Sequence, residues 1–321
     1  MKLAESGKLL ELAEKTGDIL RPFGHTETLL FYGAVAPALK KFLAGKMIAA
    51  KNWIPHGPMP TLIKRGSREP PLSIDELVEG ITPEFLQTRA TEEHLDAAKP
   101  KLSPLQQKIW SYFLPRKLSD FFYATNGETP GKPIDRVFFD LDRGAKMTHA
   151  QAQQAAKTLI EVIIDDAQFN SEVGKLLEDK PFVAWTGLSF HVYLFFKKPQ
   201  PTEAYEKFFQ YSKNSPLQNH TGRWAAEVGK RTGFKVVGGH EKAGDAIVID
   251  PSQTPSGKLC RVPLGSLHMA DAKTVDGVSV PVDEKMLEDK KLTDELRSLT
   301  PKKLVEELGE WAKKLPPQFR P

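Results

Sequence analysis

Asp140 and Asp142 are the residues of this sequence whose type and spacing first indicate chemistry. They stand at the end of an apolar run that starts at Val137, and valine and phenylalanine favour buried strands. In a strand, residues i and i+2 point to the same face, about 7 Å apart along the backbone. Two carboxylates on one buried face repel each other, and a divalent cation is the commonest compensation. A solvated turn that uses aspartate twice explains the pair about equally well.

Further polar residues follow at the ends of other apolar segments. Residues 182–185 and 190–196 are predicted strands, with His191 near the start of the second, and residues 246–250 form a third that ends on Asp250. Aspartates on neighbouring strand ends can hold two divalent ions about 3.5–4 Å apart, an arrangement that stabilises both oxygens of a phosphoryl transfer. The order of these segments therefore indicates a metal-dependent transfer site.

Each of these residues also has an ordinary structural explanation when taken singly. A histidine on an apolar strand, such as His191, is usually a hydrogen-bonded structural residue. Asp250 precedes Pro251 and fits a turn, and Arg261 fits a surface ion pair. Only their common order and strand context favour a functional site.

Composition bounds the class of protein. The chain has 321 residues, 40% hydrophobic and 27% charged, which is typical of a globular protein. A net charge of +4, from 45 basic and 41 acidic residues, permits local basic grooves without establishing nucleic-acid binding. Cys260 is the single cysteine, so an intrachain disulfide and a cysteine zinc knuckle are excluded, and no zinc is expected.

Targeting and membrane segments are not indicated. Residues 1–20 scatter lysine and glutamate throughout, unlike a signal peptide. The longest uncharged apolar run, about residues 28–39, is shorter than the roughly 20 residues that span a bilayer. We predict a soluble cytoplasmic protein without a membrane partner.

Strands between helices in the middle third predict an α/β or α+β core flanked by N- and C-terminal helices. The predicted domains are residues 1–105, a helical region with a proline-rich basic loop; residues 106–275, the catalytic core; and residues 276–321, a C-terminal helical segment. Residues 259–264 are expected to be extended, and the chain after about Met269 is expected to be helical.

The proline-rich loop, residues 52–73, combines Trp53 with several basic residues. Aromatic and basic side chains in an irregular loop suit a strand of nucleic acid. A solvated connecting loop explains the same composition at least as well, because loops are normally polar.

The motifs together resemble those of the archaeo-eukaryotic primase superfamily, which includes primases, primase-polymerases and ligase-associated polymerase domains. The matching stretches are Phe138-Phe-Asp-Leu-Asp142, Thr186-Gly-Leu-Ser-Phe-His191, Val248-Ile-Asp250 and Arg261-Val-Pro-Leu-Gly-Ser-Leu-His268. The family signature is an acidic D-x-D motif, a small-x-His motif and a third acidic motif at a strand end. The resemblance covers about residues 135–273, and four short motifs in the right order are fairly specific.

The resemblance implies a fold, a cofactor and site residues. The fold is two abutting α/β units with the active-site cleft between their sheets, and the cofactor is a pair of Mg²⁺ or Mn²⁺ ions. The implied catalytic metal ligands are Asp140, Asp142 and Asp250. The implied contacts with the nucleotide phosphates are Ser189, His191, Arg261 and His268.

Two departures separate this chain from orthodox cellular primase subunits. Leu188 stands where many of them have arginine in the second motif, so another basic residue must serve or the triphosphate is held more weakly. The cysteine-rich zinc knuckle is also missing. These differences favour a diverged primase-polymerase, such as one from a plasmid, a virus or another mobile element.

The predicted function is template-dependent nucleotidyl transfer. The substrates would be nucleoside triphosphates and a single-stranded or primed DNA template, and a helicase or accessory primase subunit would be the protein partner. A basic surface would hold the template in a salt-dependent way. The candidate residues for that surface are Lys64, Arg65, Arg68, Arg223 and Arg231.

Two other classes of function stay open at this point. Phe-Phe-Asp-Leu-Asp also resembles the nucleophile strand of haloacid-dehalogenase-like phosphatases, although these have a small pair such as Gly-Thr where this chain has Arg143 and Gly144. Release of phosphate from aryl phosphates would support that function. The second alternative is a non-catalytic, DNA-binding replication-initiation subunit, in which replacing the aspartates would change no activity.

Overall fold

The protein is described by a computed structural model. It describes residues 25–52, 61–63, 72–92, 94–113, 119–124, 131–169, 171–241, 243–264, 266–269 and 275–316. The chain forms two compact units that interleave in sequence. The first unit comprises Met1–Tyr123, Arg261–Val280 and Ser298–Pro321, and the second comprises Ala124–Cys260 and Pro281–Arg297. These units cross the boundaries of the three consecutive domains proposed from sequence, which remain a prediction.

The secondary structure mixes helices and strands, as the α/β prediction requires. The helices are α1 His25–Leu39, α2 Ile74–Gly80, α3 Pro83–Thr91, α4 Leu95–Ala98, α5 Pro104–Tyr112, α6 His149–Phe169, α7 Ser171–Leu176, α8 Thr202–Phe208, α9 His220–Thr232, α10 Glu284–Leu287, α11 Leu292–Ser298, α12 Pro301–Glu306 and α13 Leu308–Ala312, with a short 3₁₀ helix at Lys99–Lys101. The strands are β1 Met47–Asn52, β2 Thr61–Ile63, β3 Leu72–Ser73, β4 Ser119–Ala124, β5 Ile134–Arg143, β6 Phe182–Trp185, β7 Phe190–Gln200, β8 Val236–Gly238, β9 Ile247–Asp250, β10 Leu259–Arg261, β11 Leu267–Met269, β12 Val275–Val278 and β13 Val280–Val282. None of the described helices has the length and apolar character needed to cross a bilayer.

Local capping chemistry starts several helices where the sequence predicts. The Ser73 hydroxyl accepts the Glu76 backbone N–H at 3.2 Å, and the Glu76 carboxylate accepts the Ser73 N–H at 2.9 Å. Thr82 caps α3, whose first residue is proline, and its hydroxyl accepts the Phe85 N–H at 3.2 Å. These caps satisfy donors that the helices leave unpaired.

The first unit carries a five-stranded sheet in the order β10-β4-β1-β2, with β3 also paired to β1, and a two-stranded pair of β11 and β12. Three predictions made from the sequence are wrong in this part of the chain. The proline-rich loop, residues 52–73, was expected to be irregular but contains a strand, β2. The extended run at 259–264 stops at Arg261, and Leu264 has a positive φ of 65°. The chain after Met269 forms β12 and β13 before it becomes helical. β12 pairs with its neighbour in sequence, β11, whereas β13 pairs with the distant strand β6.

The second unit is built on a six-stranded sheet in the order β13-β6-β7-β5-β9-β8. β5 lies between β7 and β9 and is antiparallel to both, while β8 and β9 are parallel. Alternate residues of β5 face opposite sides of this sheet. Phe139 contacts Phe209 and Trp224 on one side, whereas Phe138 lies against His191 and Tyr193 on the other.

Gly144 allows a tight turn of the backbone directly after β5. Its N–H donates to the Ala246 carbonyl at 3.0 Å, and a Cβ at this position would lie 2.3 Å from the Ala243 carbonyl oxygen. A side chain therefore has no room here. The turn leads to Thr148, whose hydroxyl accepts the Gln151 N–H at 3.1 Å and begins α6, as the sequence predicts.

Thr254 completes the hydrogen bonding of β5 where β9 has ended. Its buried hydroxyl accepts the Phe138 N–H at 3.2 Å and donates to the Phe138 carbonyl at 3.2 Å. We expect Thr254→Val, which keeps the shape but loses the hydroxyl, to lower the free energy of unfolding by about 2 kcal/mol, since both peptide groups lose a partner. Urea unfolding measures this. Thr254→Ser is the control and should lie closer to wild type; equal losses in both variants would contradict the prediction.

Candidate active site

Asp140 stands at the centre of the predicted site. In the sheet register it lies directly opposite His191 of β7 on one side and Asp250 of β9 on the other. Residues paired in this way have Cα atoms about 4.5–5.5 Å apart and point to the same face. Asp142, two residues further along β5, shares that face and lies opposite Val248. The structure thus brings all three predicted metal ligands to one end and one face of the sheet.

His191 is buried beside Asp140, with 3.2 Å between its Nε2 and the Asp140 Oδ1. Burial alone would lower the pKa of His191, but the Asp140 carboxylate outweighs it and, with a smaller contribution from Cys260, raises that pKa to about 9. The imidazole is therefore a cation at neutral pH. The Cys260 Sγ also lies 3.2 Å from the Tyr193 hydroxyl oxygen. This cysteine therefore contacts both His191 and Tyr193, which share one face of β7.

The pKa of His191 makes stability depend on pH. Because it rises from about 6.5 unfolded to about 9 folded, its contribution is complete below pH 6.5 and is lost as pH rises through 9. We expect a loss of about 3 kcal/mol in the free energy of unfolding across that window. Urea titrations between pH 6 and pH 10 measure it. His191→Gln should flatten this part of the curve; an unchanged slope in the variant, or an NMR titration that places the His191 pKa near 6.5, would contradict the prediction.

Asp250 is held in a fixed orientation. Its Oδ1 accepts the Ser252 N–H at 2.8 Å and its Oδ2 accepts the Ser252 hydroxyl at 3.0 Å. Burial raises the pKa of Asp250 despite these hydrogen bonds, and the nearby Asp140 charge raises it further. Ser252 was not among the predicted site residues, although a serine two positions after an aspartate is a known turn pattern and is a signal for such a contact.

The facing carboxylates of Asp140 and Asp250 fit a hard divalent cation. Carboxylate oxygens are the donors that Mg²⁺ and Mn²⁺ prefer. Burial, and to a smaller extent the charge of Asp140, raises the pKa of Asp250, and a bound cation would offset both effects. Among the residues that the structure describes, however, no three or more His, Cys, Asp or Glu side chains are already placed as a metal cage. The donor chemistry of Asp140 and Asp250 fits such a cation, and Asp142, on the same face of the sheet, remains the predicted third ligand.

Ser189 holds the turn between β6 and β7 against β5. Its hydroxyl donates to the Leu141 carbonyl, and its carbonyl accepts the Thr186 N–H at 2.8 Å. Gly187 has a φ of 98°, a conformation that other residues rarely adopt. Ser189 therefore sits beside the aspartates, with its hydroxyl proton engaged inside the protein.

Arg261 and His268, the other predicted phosphate contacts, belong to the first unit. The Arg261 Nη1 donates to the Leu267 carbonyl at 2.9 Å, next to His268 in the chain. His268 lies on β11 opposite Gly277 of β12. The structure thus places this pair on neighbouring segments, and their contact with phosphate remains a prediction.

The predicted template surface is only partly within the described residues. Three of its five candidates lie outside them: Lys64, Arg65 and Arg68. Arg223 is exposed on the first turn of α9, where its Nη1 donates to the Gln218 carbonyl at 3.2 Å. Arg231 forms ion pairs with Glu227 at 2.9 Å and Asp165 at 3.0 Å, so much of its charge is already compensated.

Comparison with known proteins adds one structural likeness. No family model matches the sequence, and no curated protein matches it by sequence. Among solved structures, the chain is similar to the polymerase domain from Mycobacterium tuberculosis Ligase D in complex with DNA, with a TM-score of 0.55 and 17% identity over 98% of this chain and 99% of that chain. At this identity the likeness shows the fold alone: the chain has the mixed α/β fold of that polymerase domain.

Proposed function

We propose that this chain is a template-dependent nucleotidyltransferase, a DNA primase or polymerase that joins nucleoside triphosphates. The observation that carries the proposal is the position of Asp140 between Asp250 and His191 on one face of the sheet. The fold, which is similar to a polymerase domain, supports it. Two carboxylates that can hold metal ions, next to the protonated His191, suit chemistry on phosphate groups, because the negative charge of the phosphates must be neutralised during transfer.

The three aspartates would hold Mg²⁺ or Mn²⁺: Asp140, Asp142 and Asp250. Bound there, the ions would supply charge neutralisation at the attacking and leaving oxygens. Ser252 fixes the Asp250 carboxylate through two hydrogen bonds, and Asp140 keeps His191 protonated. A fixed carboxylate and a fixed cation lower the cost of ordering the site around a substrate.

The phosphates of the incoming nucleotide would contact Ser189, His191, Arg261 and His268, the four residues that the motif resemblance implies. The proposed fold is the archaeo-eukaryotic primase-like fold that the motifs resemble. The proposed partner is a single-stranded or primed DNA template, which the neighbour's complex with DNA supports. A helicase or accessory subunit, and a role in a mobile element, belong to the same proposal.

A primer-extension assay tests the proposal. The full chain is incubated with single-stranded template, labelled ribo- or deoxynucleotides and Mg²⁺ or Mn²⁺, with and without primer. We expect products whose sequence complements the template. Products without primer identify a primase, and products only with primer identify a polymerase. No product under any condition, with phosphate released from an aryl phosphate, would replace the proposal with the phosphatase alternative.

A further inference from the structure

A short turn after β9 connects the Asp250 carboxylate to the strand that carries Asp140. Asp250 is the last residue of β9, and the Thr254 N–H donates to the Pro251 carbonyl at 3.0 Å, which closes the turn. The buried Thr254 hydroxyl bonds to the N–H and the carbonyl of Phe138, two residues before Asp140 on β5. The segment that follows Asp250 is therefore attached to the strand of the facing carboxylate.

Within this turn, the Ser252 hydroxyl donates its proton to Asp250. The Ser252 Oγ lies 3.0 Å from the Asp250 Oδ2 and 3.4 Å from the Gln253 Nε2. An ionised carboxylate only accepts hydrogen bonds and an amide nitrogen only donates them, so the hydroxyl donates to Asp250 and accepts from Gln253. The Ser252 N–H donates to the Asp250 Oδ1, so each carboxylate oxygen receives one hydrogen bond from Ser252. About two of the roughly four lone-pair positions of the carboxylate remain for a cation.

We propose that Ser252 is a positioning residue that sets the affinity of the site for a divalent cation. It acts through Asp250, whose residue position lies opposite Asp140 in the sheet. A carboxylate that is already held in one orientation loses less freedom when a cation binds, and loss of such a hydrogen-bond partner weakens metal binding about 10–100-fold. The inference rests on the proposed function, which requires metal ions, and deepens it by naming a residue outside the four motifs.

A purely structural role for the Ser252 hydroxyl predicts a different result. A serine two positions after an aspartate also stabilises an ordinary turn. Removal of the hydroxyl would then lower the free energy of unfolding and leave the affinity for a cation unchanged. Binding of a cation in the absence of nucleotide and DNA therefore separates the two roles.

The test measures the binding of Mn²⁺ alone to the full chain, through the electron paramagnetic resonance signal of the Mn²⁺ that stays free. Ser252→Ala removes the hydroxyl and keeps the backbone N–H, and Ser252→Thr retains a hydroxyl. Ser256→Ala is the matched control, because Ser256 is the next serine along the chain and its buried hydroxyl has no hydrogen-bond partner among the described residues. Urea unfolding shows that each variant remains folded.

We expect Ser252→Ala to bind Mn²⁺ about tenfold more weakly than wild type, because one of the two hydrogen bonds to Asp250 remains. Ser252→Thr and Ser256→Ala should bind Mn²⁺ within about twofold of wild type. In primer extension, Ser252→Ala should need about tenfold more Mn²⁺ for its half-maximal rate and approach the wild-type rate at saturation. An unchanged Mn²⁺ affinity in Ser252→Ala, or an equal loss in Ser252→Thr or Ser256→Ala, overturns the inference.

The outcomes also separate this inference from the proposed function. Mn²⁺ binding that depends on Ser252, in a protein that extends no primer, supports the positioning role and contradicts the polymerase proposal. Primer extension with the same Mn²⁺ dependence in wild type and Ser252→Ala supports the polymerase and contradicts the positioning role. A wild-type protein that binds no Mn²⁺ contradicts both.

Discussion

Replacing Asp140 by alanine is expected to lower the rate of nucleotide incorporation by at least about a hundredfold. Loss of a partner that only orients a metal ligand already costs about 10–100-fold, and Asp140 is itself a proposed ligand. The same change removes the charge that keeps His191 protonated, so the pKa of His191 should fall towards or below its ordinary value. Primer extension and an NMR titration of His191 measure the two effects.

The matched control for this prediction is Asp245→Asn. Asp245 is an exposed aspartate of the same unit that pairs with Lys235 at 3.1 Å, outside the candidate site. It should retain wild-type activity. Circular dichroism should show that Asp140→Ala remains folded. A folded Asp140→Ala protein with wild-type incorporation would contradict the proposed role of Asp140. Equal losses of activity in Asp140→Ala and Asp245→Asn would show that the effect is not specific to the candidate site.

Gly222→Ala is expected to destabilise the second unit by about 3 kcal/mol or more. A Cβ on Gly222 would lie 1.4 Å from the Pro216 carbonyl oxygen and 2.6 Å from its carbon, so the backbone before α9 must move. Overpacking of this kind costs about 1–3 kcal/mol and occasionally more. The movement would also disturb the cap of α9, where the Asn219 side chain accepts the Gly222 N–H at 3.4 Å.

Urea unfolding measures this loss, and Gly309→Ala provides a matched comparison. Gly309 is also a helical glycine, but a Cβ there would meet nothing within 4 Å. Alanine favours a helix over glycine by up to about 1 kcal/mol, so Gly309→Ala should be neutral or slightly stabilising. An unfolding midpoint for Gly222→Ala equal to that of wild type would show that the segment at Pro216 adapts without cost.

Strand pairing makes the geometry of the candidate site hard to shift. Asp140 faces His191 and Asp250 because β5 pairs with β7 and β9 in one register. A slip of one residue in either pair would turn the facing side chain to the opposite side of the sheet. Two residues next to the paired segments support this register. The Thr254 hydroxyl bonds to the backbone of Phe138 on β5, and Gly144, which has no side chain, lets the end of β5 approach the backbone at Ala243.

The sequence by itself determined the local elements that carry the site. The apolar residues before Asp140 and before Asp250 predicted β5 and β9, and the capping residue Thr148 predicted the start of α6. These signals are local: strand preference depends on residue type, and a cap depends on residues three positions apart. Residue type and position along the chain were therefore enough to choose the candidate aspartates, as residues at the ends of apolar strands.

Only the tertiary structure decided which of these residues meet and what surrounds them. The register that sets Asp140 opposite His191 and Asp250 joins strands about 50 and 110 residues apart, and no local pattern specifies it. The contact of Cys260 with Tyr193 and the burial that raises the pKa of Asp250 have the same non-local origin. The strand β13 arose where helix was expected, and it pairs with β6, which lies about 100 residues earlier in the chain and which no local pattern specifies as its partner.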